Sequence, residues 1–212
     1  MKNLLKILVL SVFFIFVTGC ASTEEKLSTE KRNSFQSVAI ISADKIPDEV
    51  FYTGPEHAFG AALGGVVGAL VAQGASTTGE KIETHIKNNK IDIQGIFHKE
   101  FTTIFRGSDN LADKIITTPG EADATIRLVI GRYGFGQPHG FSSQRKPLII
   151  GGIEILDKQG NRIYAGSASV TPLNSELYGT DLDNYFSNPS NFEKAFKSAF
   201  NIVSRELVRQ IN

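Results

Sequence analysis

Cysteine occurs once in the 212 residues, at Cys20. A chain with one thiol forms no internal disulfide and offers no sulfur cluster to a metal. Charge of one sign is also missing, since Lys plus Arg number 22 and Asp plus Glu 22. Beyond residue 19 the chain has lost Lys2 and Lys6 but no acid, so the remainder is slightly acidic. That argues against nucleic acid or anionic lipid as an electrostatic partner.

Catalytic signatures are lacking too. No Gly-x-Ser-x-Gly elbow, Walker lysine loop or His-Glu-x-x-His helix occurs. His57, His85, His98 and His139 are scattered, and His98 with Glu100 reads as the polar side of a helix. Asp181 and Asp183, beside Glu176 and Tyr178, read as a solvated loop rather than a calcium site. Gly131-Arg132-Tyr133-Gly134-Phe135-Gly136 is rich in glycine, but Gln137-Pro138 follows it, with no helix to receive a phosphate. It reads as a glycine-rich loop or bulge that closes a strand. The expectation is a protein that is not an enzyme and holds neither metal nor cofactor.

The apolar run at the start, Ile7 to Val17, is well short of the ~20 residues needed to span a bilayer. Lys2 and Lys6 precede it, so the opening reads as a secretory signal. Val17-Thr18-Gly19-Cys20 ends it and resembles the lipobox of bacterial lipoproteins: an aliphatic residue, two small residues and a cysteine. The resemblance implies cleavage before Cys20 and a lipid on its thiol; two or more acyl chains then give stable membrane attachment. Ala21 in place of aspartate favours the outer membrane, facing the periplasm, by the same analogy. Residues 20–34 are the lipidated cysteine and a polar stretch with Leu27 as its one large apolar residue. Such a stretch reads as a flexible tether.

Residues 35–212 read as a single α+β domain. Val38-Ala39-Ile40-Ile41 is a short apolar run suited to a buried strand. Ala124, Ile126, Leu128 and Ile130 alternate with Thr125 and Arg127, and with Tyr133 further on, which predicts a strand over 124–135 with one covered face. Leu148–Leu156 and Arg162–Val170, joined by Asp157-Lys158-Gln159-Gly160-Asn161, predict a hairpin. Lys114–Thr117 predicts one more short strand.

Two helices complete the domain. Asp92 is suited to cap a helix carrying Ile93, Ile96, Phe97, Phe101, Ile104 and Phe105, with Gly107 as its stop. Asn188-Pro189 opens a second helix, striped by Phe192, Phe196, Phe200, Val203, Leu207 and Ile211. The expected architecture is a mainly antiparallel sheet with helices packed on one face. This order of elements, with Ala122-Asp123-Ala124 and the Leu156-Asp157…Gly160-Asn161-Arg162-Ile163 hairpin, is similar to lipoproteins of the curli-secretion and penicillin-binding-protein-activator type. It is also similar to the amino-terminal domain of TolB. The resemblance implies a domain that binds or assembles other proteins, and no catalytic residues come with it.

Two features stand outside that frame. Thr53 and Glu56 have capping-box spacing ahead of a glycine-rich, apolar insertion at about 53–76, in which Gly60, Gly64, Gly68 and Ala72 fall four apart. A helix there would present a small-residue groove, packing against its own domain, a second copy or lipid. The other feature is residues 136–147, long for a strand connection, with Phe141, Arg145 and Lys146 as candidate recognition residues. The leading expectation is an envelope lipoprotein that binds a protein partner, and the alternative is a membrane-active oligomer assembled through the glycine zipper.

Overall fold

The computed structural model describes residues 26–42, 45–54, 78–108, 111 and 113–212. Cys20 and the signal segment lie outside these, as do Gly60, Gly64, Gly68 and Ala72. In chain order the elements are α1 (Thr29–Asn33), β1 (Ser37–Ser42), β2 (Phe51–Thr53), α2 (78–88), α3 (Ile93–Arg106) and β3 (Ile115–Ile116). They continue with β4 (Ala124–Gly136), β5 (Lys146–Asp157), β6 (Arg162–Val170), α4 (Leu182–Ser187) and α5 (Ser190–Ile211).

The fold is α+β, and its sheet is mixed. The strands run β3-β1-β4-β5-β6, and β2 pairs with the far end of β4. The long strands β4, β5 and β6 are antiparallel neighbours, whereas β1 and β2 both lie parallel to β4, at Val38–Ser42 against Ala124–Leu128 and at Phe51–Thr53 against Gly134–Gly136. The sequence suggested mainly antiparallel pairing because the hairpin signals were the readable ones; the parallel pairs join segments about 80 residues apart, which no turn announces.

Alternation carries the helices onto one face. Ala124, Ile126, Leu128 and Ile130 on β4, Ile149, Ile153 and Ile155 on β5, and Tyr164, Ala168 and Val170 on β6 are buried. α3 and α5 cover them with phenylalanines, and Phe97 stacks on Phe200 with ring centroids 4.7 Å apart. The caps are as the sequence implied: Asp92 accepts from Gly95 N–H at 2.8 Å, and Gly107 ends α3.

One strand breaks its own alternation. The β4–β5 register shifts between Ile130 and Arg132, so Gly131 is a bulge. The extra residue reverses the phase, and Tyr133, expected beside Thr125 and Arg127 on the outer face, is instead buried on the helix face. The Gly131–Gly136 stretch is therefore strand throughout. Its Gly134 sits against β2, where a Cβ would lie 1.7 Å from the carbonyl oxygen of Phe51. Only glycine lets β2 pair so closely there.

The amino-terminal stretch is more ordered than its composition suggested. Leu27 is buried, its N–H donates to Gln210 O at 3.0 Å, and Ser28 caps α1. A single leucine suffices because α5 and β6 leave a seat for it, which polar composition does not reveal. The ordered domain therefore takes in Leu27 and α1, which the sequence had assigned to the tether. Thr53, expected to cap a zipper helix, is the last residue of β2, paired with Gly136.

Candidate functional site

One end of the sheet gathers the features that the core does not explain. β4 ends there and β5 begins there, and β6 ends opposite Ile149. The β4–β5 loop therefore lies beside the segment that follows β6. β2 ends at Gly136 on this same end, and Gly79 of α2 lies against Val50, where a Cβ would meet the carbonyl oxygen at 2.7 Å. The chain thus leaves for the glycine-rich insertion and returns from it at one place.

The β4–β5 loop is built around Arg145. Its side chain, 7% exposed, donates from Nε to the Tyr52 hydroxyl at 2.9 Å and from Nη1 to the carbonyls of Ser142, Ser143 and Gln144 at 2.9–3.2 Å. Its backbone forms a bridge with Thr180, and its carbonyl accepts from the Tyr185 hydroxyl at 3.1 Å. A guanidinium has five donors in a rigid fork, so one side chain can hold a whole turn of carbonyls. Burial, more than the neighbouring Tyr178, raises the Tyr185 hydroxyl well above its ordinary range and keeps it a donor.

This brace projects Phe141. Ser142 N–H donates to His139 O at 3.0 Å and Gln137 Nε2 to Ser142 O at 2.6 Å, so residues 139–142 form a tight turn with Phe141 at its third position. Phe141 is fully exposed. Leu173 repeats the arrangement: Asn174 N–H donates to Thr171 O at 3.0 Å, and Leu173, third in that turn, is 77% exposed. Lys146 joins the two turns by donating from Nζ to Asn174 O at 3.1 Å. Of the described large apolar side chains, Phe141, Leu173 and Ile150 are the exposed ones, and two of these three cap this end.

The three loop residues singled out from the sequence thus have different places. Phe141 faces solvent, Arg145 is enclosed by the loop it holds, and Lys146 links the loop to the next turn. Leu173 was missed, because an isolated leucine in Thr171-Pro172-Leu173-Asn174 carries no periodic signal; the turn chemistry of Pro172-Leu173-Asn174 was the available hint.

Elsewhere the polar groups serve the fold. His98 Nε2 meets Ile40 O at 2.9 Å, and buried Glu100 accepts from Asn201. Asp181 caps α4 through Asn184 N–H at 2.8 Å, and Glu176 pairs with Arg205. Among the described residues no three His, Cys, Asp or Glu side chains are placed to hold a metal, and no helix is long and apolar enough to cross a membrane. A groove of about 620 Å³ between α2 and α4 is lined by Thr84, His85 and Phe186, with the His85 ring edge-on to Phe186 at 5.3 Å.

No protein-family model matches the chain, and no curated protein sequence is similar to it. Solved structures similar to it include a DUF330 family protein from Xanthomonas campestris, 16% identical with a TM-score of 0.37. That match covers 54% of this chain and 58% of the other, so it spans less than two thirds of that protein. A minor lipoprotein from Acinetobacter baumannii is 11% identical with a TM-score of 0.34, over 83% of this chain and 90% of its own. PelC from Paraburkholderia phytofirmans, a dodecamer, is 11% identical with a TM-score of 0.29, over 84% and 88%. Lipoproteins are therefore among the structures this chain is similar to.

Proposed function

We propose that this protein is a lipid-anchored lipoprotein of the bacterial envelope, and that its β4–β5 loop binds a protein partner by seating Phe141 in a pocket of that partner. The observation that carries the reading is a fully exposed phenylalanine on a turn whose last carbonyl, at Ser142, is gripped with the next two by a buried arginine. A rigid aromatic knob loses little conformational entropy on binding, and such residues dominate interface energetics. The Val17–Cys20 motif supports lipidation at Cys20 and export, and Ala21 supports the outer membrane as its destination. The absence of a recognised catalytic motif from the sequence supports a binding role without chemistry.

The test is a photo-crosslinking amino acid placed at position 141 in intact cells, with the same probe at Lys158 at the opposite end of the sheet as the comparison. A discrete adduct specific to position 141 is expected, and it should disappear when Arg145 is replaced by alanine. Identical adduct patterns from both positions would sink the reading. The alternative, a membrane-active oligomer packed through Gly60, Gly64, Gly68 and Ala72, is favoured by the spacing of those residues. Leucine at the three glycines abolishes assembly in that case.

A further inference from the structure

The balance of charge over the whole chain conceals a local asymmetry. A groove of about 300 Å³ runs between the amino-terminal segment and the start of β6, lined by Lys26, Ser28 and Lys31 on one side and by Arg162 and Ala165 on the other. Three of its lining side chains are cationic and none is acidic. Lys31 Nζ donates to Ile163 O at 3.1 Å and Arg162 Nη1 to Glu154 Oε1 at 3.3 Å. Each cation has further donors beyond these. Glu206, whose carboxyl feels Lys26, is already bonded to Arg209.

The edge of β6 adds a neutral donor. Gln210 Nε2 donates to Ser167 O at 2.9 Å, while the Gly166 carbonyl faces β5, so Ser167 turns its backbone groups outward. Residues two apart in an antiparallel strand share an edge, so Ala165 N–H points outward as well, along the groove it lines. Three cations and an outward N–H around one hollow suit an oxyanion.

We propose that this groove seats the phosphodiester of an anionic lipid in the membrane to which Cys20 is attached. The proposal rests on reading Cys20 as the anchor, and its location supplies the argument for a lipid. Lys26 follows Cys20 by six residues, a reach of at most ~20 Å, so the groove is held near headgroups. It also lies at the hairpin end of the sheet, beside Arg162, whereas Phe141 lies at the other end. The 13 residues of β4 separate the two ends by ~40 Å. A headgroup in the groove and a lipid on Cys20 fix the domain at two points. The sheet then stands on its hairpin end and presents Phe141 away from the membrane.

Among the described residues the core runs from Leu27 to Ile211, so the test uses the chain without its first 19 residues. The chain from residue 20 with Cys20→Ser, free of lipid, is sedimented with vesicles of phosphatidylcholine and of phosphatidylcholine mixed with phosphatidylglycerol. Association with the mixed vesicles alone is expected. It should fall roughly fivefold with Lys26→Ala or Arg162→Ala and vanish when Lys31→Ala is added to both. Lys26→Glu, a change at an exposed side chain, guards against misfolding of the triple variant and should also abolish binding. Arg106→Ala and Lys197→Ala, on the helix layer, should leave it unchanged.

Equal association with both vesicles, equal binding by wild type and Lys26→Glu, or equal losses in the helix-layer controls would overturn the proposal. Inorganic phosphate is added against sodium chloride of the same ionic strength. Displacement by phosphate alone would assign the groove to free phosphate and overturn the lipid source; equal displacement supports it. Mass spectrometry of Cys20 in the native protein tests the anchor separately, so a bare Cys20 and a vesicle-blind groove are distinguishable failures.

Discussion

The Nε of Arg145 donates to the hydroxyl of Tyr52 at 2.9 Å, joining the β4–β5 loop to β2 across 93 residues of sequence. Replacing Arg145 by alanine strands the Tyr52 hydroxyl and three loop carbonyls together. Hydrogen bonds to a charged group contribute ~1.5–3 kcal/mol each, and solvent reaching the opened loop recovers part of that. The expected loss is about 3 kcal/mol in urea unfolding, with faster amide exchange through residues 142–144. Unchanged exchange there would show that the loop holds itself without the arginine.

Phe141→Ala should behave in the opposite way. A fully exposed side chain away from the core contributes within about 0.5 kcal/mol to stability. Thermal unfolding is therefore expected to match wild type while partner capture in cells is lost. A substantial drop in melting temperature would mean that Phe141 packs in solution.

Gly134→Ala tests the close approach of β2. The new methyl would lie 1.7 Å from Phe51 O and 2.8 Å from Phe51 Cα, both backbone atoms that side-chain movement does not relieve. Forced overpacking costs ~1–3 kcal/mol or more. Denaturant titration should show a loss at the upper end of that range, and detachment of β2 should also weaken the Tyr52 contact to Arg145. Stability equal to wild type would refute the tight β2–β4 pairing.

Acid stability follows from three carboxyls held below the ordinary carboxylate range. Glu154 is lowered first by its hydrogen bond from Arg127, Asp123 first by the Ser37 hydroxyl, and Asp157 first by the Asn161 side chain. Because the folded values lie below the unfolded ones, their contribution is complete above pH ~4 and is lost as the pH falls through the folded values. Urea midpoints should stay level from neutral pH to about 5 and then drop, and Asp123→Asn should reduce the drop.

At the alkaline side, burial pushes the Tyr133 hydroxyl up to about 12. A raised folded value keeps the proton in the native state, so stability falls as the pH climbs above ~10 towards that value. The phenolate absorbance of Tyr133, taken as the difference from a Tyr133→Phe variant, should appear together with unfolding rather than before it. Early ionisation of a buried tyrosine in the folded state would contradict the burial of Tyr133.

What could be read from the sequence was what depends on neighbours in the chain. The long helices announced themselves by spacing, with Asp92 and Gly107 marking the ends of α3. The β5–β6 hairpin did so through Asp157 to Asn161, where Gly160 takes a φ of +84°. β2 has three residues and α4 six, too few for periodicity to emerge. The phase reversal at Gly131 was equally silent, because a bulge is defined by the strand opposite.

The candidate site divides in the same way. Local composition announced a long connection with Phe141 as an apolar residue within it, but over 136–147; the strands run on to Gly136 and begin again at Lys146, because their pairing is set across the sheet. Whether an arginine in such a loop faces solvent or holds the loop together depends on Tyr52 and on Thr180 and Tyr185, which come from two distant segments. Only the packed sheet brings those together. It likewise places Lys26 and Lys31 against Arg162 at the opposite end from Phe141, a separation set by strand length that no run of neighbouring residues encodes.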